Sequence, residues 1–216
     1  MGRMRVKVCG VTSPDDARMV AAAGVDAVGI IFAESPRQVT VAQAKAIVDA
    51  LPPWVTPVGV FVNEAPAAIG RIAGEVGLAT VQLHGDELPC SVKDVAGHFK
   101  VIKAFRVGGQ ADVADVLDYV EQCRPDACLI DSRVRGAYGG TGQTAPWDLV
   151  ASLAGRLRPL ILSGGLTPEN VAEAARIVRP WGVEASSGVE SAPGRKDKQR
   201  VLDFVRNATS VDVTEE

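Results

Sequence analysis

Residues 160–188 read LILSGGLTPENVAEAARIVRPWGVEASSG, one full strand–helix–strand unit. Leu160–Leu162 is a short apolar run of strand type, closed by Ser163-Gly164-Gly165. Thr167-Pro168 reads as a helix start: a hydroxyl to take up an unpaired N–H, then a proline where its missing N–H is not needed. Pro168–Val178 is the predicted helix and Val183–Ala185 the next strand, ended by Ser186-Ser187-Gly188. Two strands joined through a helix run parallel, with a right-handed crossover.

The same unit recurs toward the N-terminus. Strands are predicted at Arg5–Cys9, Ala27–Phe32, Val58–Val62, Thr80–Leu83, Val101–Phe105 and Ala127–Asp131. Between them helices are predicted at Asp15–Ala23, Val41–Ala50, Pro66–Val76, Leu88–Ala96 and Val113–Gln122. Another lies at Trp147–Ala154, and Lys198–Arg206 follows the last strand. A doubly wound open sheet usually carries fewer strands and one early phosphate loop. Eight βα units in about 200–250 residues point to a closed (β/α)8 barrel, the TIM-barrel architecture. No linker or shift in composition divides the chain, so residues 1–208 are expected to form one domain, with a polar tail at 209–216.

Composition narrows the function. The 216 residues hold 23 Lys+Arg against 26 Asp+Glu, a net charge of −3. Neutralising nucleic-acid phosphates needs a basic face, so nucleic acid is not an expected partner. Aromatic residues are only 5%, too few for base-stacking platforms. Hydrophobic residues reach 47%, enough for a packed core. No apolar run approaches the roughly 18–20 residues of a bilayer span, so no membrane partner is expected. MGRMRVKVCG shows no secretory signal, and a cytoplasmic location is expected. Cys9, Cys90, Cys123 and Cys128 form no C-x-x-C pair, and there are only two histidines. Four reduced thiols and no metal site follow.

A barrel of this kind carries its active site at the C-terminal ends of its strands. Gly164-Gly165 and Ser187-Gly188, at the ends of adjacent late strands, can present free N–H groups to a phosphate or merely make turns. Two such loops side by side favour the phosphate. On the first strand Arg5, Lys7 and Cys9 share one face and Val6 and Val8 the other. Cys9 is thus expected to point inward at the mouth with Lys7 below it. It is either a small buried hydrophobe or a base whose thiolate the lysine favours. Asp131 ends the sixth strand as a helix cap or an acid. Arg37, in Ser35-Pro36-Arg37, can hold a carboxylate of a substrate or pair with a protein carboxylate such as Glu34. Gln82 and His84 stand at the end of the fourth strand, where His84 is a ligand or a structural histidine.

Taken in order, VKVCGVT, FAESPRQVT, VGVFVN, VQLHGDE, LIDS, GGTGQTAPWDL, LSGGLTPENV and VEASSGVESAPGRKD resemble the phosphoribosylanthranilate isomerases over nearly the whole chain. The resemblance implies a cofactor-free (β/α)8 barrel acting on a small phosphosugar. The reaction is an Amadori rearrangement of N-(5′-phosphoribosyl)anthranilate in tryptophan biosynthesis. It implies Cys9 as general base, Asp131 as general acid and Arg37 on the anthranilate carboxylate. Gln82 and His84 are expected among the substrate contacts, and Gly142, Gly164, Gly165, Ser187 and Gly188 around the phosphate. A monomer is expected, with a dimer as the alternative. The chain departs from the usual pattern twice. Glu184 stands where V-D-x-S-S-G has aspartate, and Ser163 stands where an alanine usually precedes the glycine pair. The competing readings are the related histidine-pathway phosphoribosyl isomerase, which normally has aspartate in place of Cys9, and a non-catalytic barrel that binds a phosphorylated ligand.

Overall fold

The alternation in RVKVC decides what fills the centre of the molecule. Val6 and Val8 are fully buried in the large apolar layer between strands and helices. Lys7, between them, bonds instead to Glu184 on the neighbouring strand and to Gln82, three strands away, which a side chain directed along the inside of a closed sheet can reach. The structure, a computed structural model, describes residues 3–131, 147–157 and 159–211.

In chain order the elements are β1 (Arg5–Cys9), α1 (Pro14–Ala22), β2 (Ala27–Ile31), α2 (Val41–Asp49), β3 (Thr56–Phe61) and α3 (Pro66–Val76). Then come β4 (Thr80–Leu83), α4 (Pro89–Ala96), β5 (Lys100–Arg106), α5 (Gln110–Cys123), β6 (Ala127–Asp131) and α6 (Trp147–Ala154). The chain ends with β7 (Leu160–Ser163), α7 (Val171–Val178), β8 (Gly182–Ala185), β9 (Glu190–Ala192), β10 (Arg195–Lys196) and α8 (Lys198–Thr209). Strands β1 to β8 pair in sequence, all parallel, and β8 returns to β1 to close the barrel. The expected (β/α)8 barrel is therefore present.

Period-two alternation places two layers on the two faces of the sheet. Cys128 and Ile130 face the helices, while Ala127 and Leu129 join Val58, Ile102, Ala104 and Ile161 inside the barrel. Local chemistry sets the helix ends. The Ser13 side chain accepts the Asp16 N–H at 3.1 Å to start α1, and Thr40 and Gln43 form a reciprocal cap on α2. Gly77, at φ 82°, ends α3 in the left-handed conformation that glycine adopts without strain.

The three largest differences from the sequence reading, three residues each, have local reasons. Helix α7 begins at Val171 rather than Pro168 because the Asn170 side chain closes the preceding turn. It accepts the Thr167 N–H at 2.8 Å and donates to the Gly165 carbonyl at 3.1 Å. Helix α5 begins at Gln110 rather than Val113, since the Asp112 carboxylate accepts the N–H groups of Gly108 and Gly109 at 2.7 and 2.9 Å. Helix α8 continues to Thr209 and Val211 is buried, so residue 209 lies in the helix rather than in a polar tail. The β9–β10 hairpin was not foreseen; ESA and RK are too short to show a period. Among the described residues, no helix is long and apolar enough to cross a membrane.

Candidate active site

The C-terminal ends of the strands gather Cys9, Arg37, His84, Asp131, Gly164, Gly165, Ser187 and Gly188. Gly142 lies outside the described residues.

Cys9 ends β1 opposite Gly29 of β2. A Cβ on Gly29 would stand 2.5 Å from the Cys9 sulfur, so the thiol occupies space that only glycine leaves open. Lys7 lies one layer below, as expected, but its cation does not make Cys9 a resting thiolate. Burial pushes the Cys9 thiol up, and the Glu184 carboxylate adds to that, outweighing Lys7, Lys196 and the Gly10 N–H. The resting group is a thiol.

Below the mouth runs a buried polar chain. Lys7 Nζ donates to Gln82 Oε1 at 2.8 Å and to the Glu184 carboxylate. Burial works against the Lys7 charge, but Cys9 and Glu184 together raise its pKa, so it stays an ammonium. Ser163 Oγ donates to Glu184 Oε1 at 3.1 Å. The two positions at which the chain departs from the pattern it resembles are therefore in contact. On the other side Gln82 Nε2 lies 2.8 Å from His84 Nδ1. His84 Nε2 in turn faces Asp131 Oδ2 at 3.7 Å. Asp131 ends β6 on its inward face and is paired with Ser163 in the strand register. Gln82 is fully buried, with both ends of its amide in use.

The backbone beyond His84 is tied down by an ion pair that the sequence reading missed. The Glu87 carboxylate accepts the N–H groups of Asn63 and Gly85 at 2.9 and 3.0 Å and meets Lys103 Nζ at 3.0 Å. Burial opposes its charge, yet Lys103 and the Asn63 N–H hold its carboxyl below the usual range.

Arg37 does not pair with Glu34. Its Nε and Nη2 donate to the two oxygens of Glu190 at 2.8 and 2.6 Å, a bidentate fork. Glu190 also accepts from Lys196 Nζ at 2.7 Å, and Lys196 donates to the Cys9 carbonyl at 2.6 Å. Burial opposes the Glu190 charge, but Arg37 and Lys196 hold its carboxyl low. The β9–β10 hairpin thus fastens both the end of β1 and the Arg37 loop. Neither Glu190 nor Lys196 was singled out from the sequence, although both lie in the VESAPGRKD stretch.

The late glycine loops adjoin as expected. Gly164 and Gly165 have φ of 95° and 68°, a left-handed pair. Gly165, Thr167, Ser187, Gly188, Glu190 and Arg200 line an open hollow. A Cβ on Gly188 would collide with the Leu166 carbonyl oxygen, so the two loops approach as closely as backbone permits.

The comparisons with known proteins agree with this geometry. A family model described as N-(5′phosphoribosyl)anthranilate (PRA) isomerase matches residues 6–207. The N-(5′-phosphoribosyl)anthranilate isomerase of Geobacter sulfurreducens is 50% identical over 208 residues, covering 95% of this chain and 98% of that protein. The crystal structure of phosphoribosyl anthranilate isomerase from Thermotoga maritima superposes with a TM-score of 0.90 at 42% identity, covering 96% of this chain and all (100%) of that one. A similar enzyme, solved in complex with reduced 1-(o-carboxyphenylamino)-1-deoxyribulose 5-phosphate, has a TM-score of 0.86 at 40% identity, with 96% and 100% covered. With a closed eightfold barrel, a thiol and a carboxyl at its mouth and these relatives over nearly its whole length, the chain belongs to the phosphoribosylanthranilate isomerase family.

Proposed function

We infer that the chain converts N-(5′-phosphoribosyl)anthranilate to 1-(o-carboxyphenylamino)-1-deoxyribulose 5-phosphate. The observation that carries this reading is the placement of Cys9 and Asp131, on β1 and β6, at one mouth beside the two glycine loops. Protonated Asp131 gives its proton to the furanose ring oxygen as the C1′–O bond breaks, and the nitrogen lone pair forms the C1′=N bond. The Cys9 thiolate then removes the C2′ proton. The freed electron pair forms C1′=C2′, the nitrogen recovers its pair, and the enolamine tautomerises to the ketone. The cycle leaves Cys9 protonated and Asp131 ionised, which is the resting arrangement; with substrate bound, one proton passes from thiol to carboxylate before the ring opens. The loops at Gly164, Gly165, Ser187 and Gly188 hold the phosphate. Loss of anthranilate-type fluorescence on adding enzyme to substrate tests the reading; its absence would refute it.

The proton count fixes the pH dependence. The active enzyme carries one proton across the Cys9–Asp131 pair, so activity is lost when both groups are protonated and when both are ionised. The upper limb reports the thiol, and burial has moved that upward. The expected result is a kcat/KM that holds above the ordinary thiol value of about 8.5 before falling. An upper limb well below that value, measured across the alkaline range, would show a resting thiolate instead.

Arg37 is proposed to hold the anthranilate carboxylate while anchored by Glu190. The fork occupies Nε and Nη2, which leaves Nη1 to reach a ligand. Arg37→Ala should weaken a product analogue bearing the ring carboxylate by about 10–150-fold, or roughly 1.5–3 kcal/mol. An analogue without that carboxylate should lose much less. The variant also strips Glu190 of one partner, so a fall in stability of about 1–3 kcal/mol is expected alongside. Equal losses for both analogues would make Arg37 a structural anchor only.

A further inference from the structure

The orientation of one buried amide dictates the protonation of a histidine at the mouth. An ammonium has hydrogens to donate and no lone pair to accept with. Lys7 Nζ sits 2.8 Å from one end of the Gln82 amide, so that end is the carbonyl oxygen. The other end is then the NH2 group, 2.8 Å from His84 Nδ1. A nitrogen that receives a hydrogen bond keeps its lone pair, so Nδ1 carries no proton. The ring hydrogen must be on Nε2, the nitrogen facing Asp131 Oδ2 at 3.7 Å. The amide cannot turn over without setting its NH2 against the ammonium. Lys7 is held in turn by Glu184, and Glu184 by Ser163, all of them buried.

We propose that Lys7, acting through Gln82, locks His84 as the Nε2–H tautomer with its hydrogen turned to Asp131, which makes Lys7, Gln82 and His84 positioning residues for the acid. The inference rests on the isomerase reading given above. When Asp131 gives its proton to the ring oxygen, a carboxylate charge develops where Nε2–H already points. With the carboxyl protonated in the substrate complex, a donor aimed at the charge that returns as the ring opens favours that step rather than substrate binding.

The test is the nitrogen spectrum of histidine. Uniformly 15N-histidine-labelled enzyme holds only two such rings, and His98 is exposed on the surface. His98→Asn leaves the His84 signals alone, and long-range 1H–15N correlation at fixed pH then reads its tautomer. The expected result is a single Nε2–H pattern. An Nδ1–H pattern, or signals averaged between tautomers, would overturn the lock with no further variant needed. In Gln82→Met, which has no hydrogen to offer Nδ1, the pattern should become mixed. There kcat should fall on the order of 10-fold or more with KM nearly unchanged. A retained single pattern together with a wild-type kcat would overturn it. His84→Gln, whose side-chain N–H reaches about the place of Nε2, should keep more of kcat than the shorter His84→Asn; equal loss would also count against the lock. Failure of the wild type to turn over the anthranilate substrate counts against the isomerase reading, while the spectrum decides the lock independently.

Discussion

Cys9→Ala is expected to lower kcat on the order of 10²–10⁴-fold, the loss that follows removal of a general base. The sulfur is the only group at the end of β1 able to take a carbon-bound proton, and it fills the space that Gly29 leaves open. Cys9 is 5% exposed, more enclosed than a side chain simply open at the mouth. The variant therefore leaves a small cavity and should lose about 1 kcal/mol of stability. That is far too little to unfold a domain of this size. Binding of a product analogue should be close to wild type, because the phosphate loops and Arg37 do not touch the missing atom's role. Cys9→Ser is the sharper comparison. A hydroxyl is harder to ionise than a thiol, and the burial that raises the Cys9 thiol would act on it as well. Serine should thus rescue little or nothing. A Cys9→Ala enzyme that keeps near-wild-type kcat would remove the thiol from the reaction.

The barrel was legible because its signals are local. Each strand is a short apolar run, each helix has its own start and stop, and eight repeats leave few ways to close a parallel sheet. The inward direction of Lys7 and Cys9 followed from the alternation in five residues. Helix starts were less legible where a side chain three or four positions away takes over the capping, as Asp112 does for Gly108 and Asn170 for Thr167.

Partners on other strands were not legible at all. Gln82 stands 75 positions from Lys7 and Glu184 stands 177 away. No periodicity links such residues; only closure of the sheet does. For the same reason the partner of Arg37 was sought nearby at Glu34, when the Glu190 carboxylate 153 positions on forms the fork. Lys7 as a neighbour of Cys9 could be read from the strand. Its effect could not, because desolvation depends on how completely the barrel encloses the thiol, and enclosure is a property of the whole fold.

Asp131→Asn is expected to reduce turnover as far as Cys9→Ala does, by a different route. Asparagine matches aspartate in size and keeps an oxygen toward its neighbours, so the end of β6 and its pairing with β7 should persist. What disappears is the proton that opens the furanose ring. Without it the leaving ring oxygen departs as an alkoxide, and a neutral amide cannot meet that charge with a transferable hydrogen. The loss should fall on kcat, on the order of 10²–10⁴-fold, and a product analogue should still bind. The variant also separates the two halves of the reaction. An open-chain Schiff-base analogue needs no ring opening; with it, Asp131→Asn should keep proton removal from C2′ while Cys9→Ala should not. Exchange of that C2′ hydrogen into solvent reads the step directly. If Asp131→Asn turns over the cyclic substrate at the wild-type rate, Asp131 caps its strand and takes no part in the chemistry. If it fails equally on the open-chain analogue, its carboxylate serves the thiol rather than the ring oxygen.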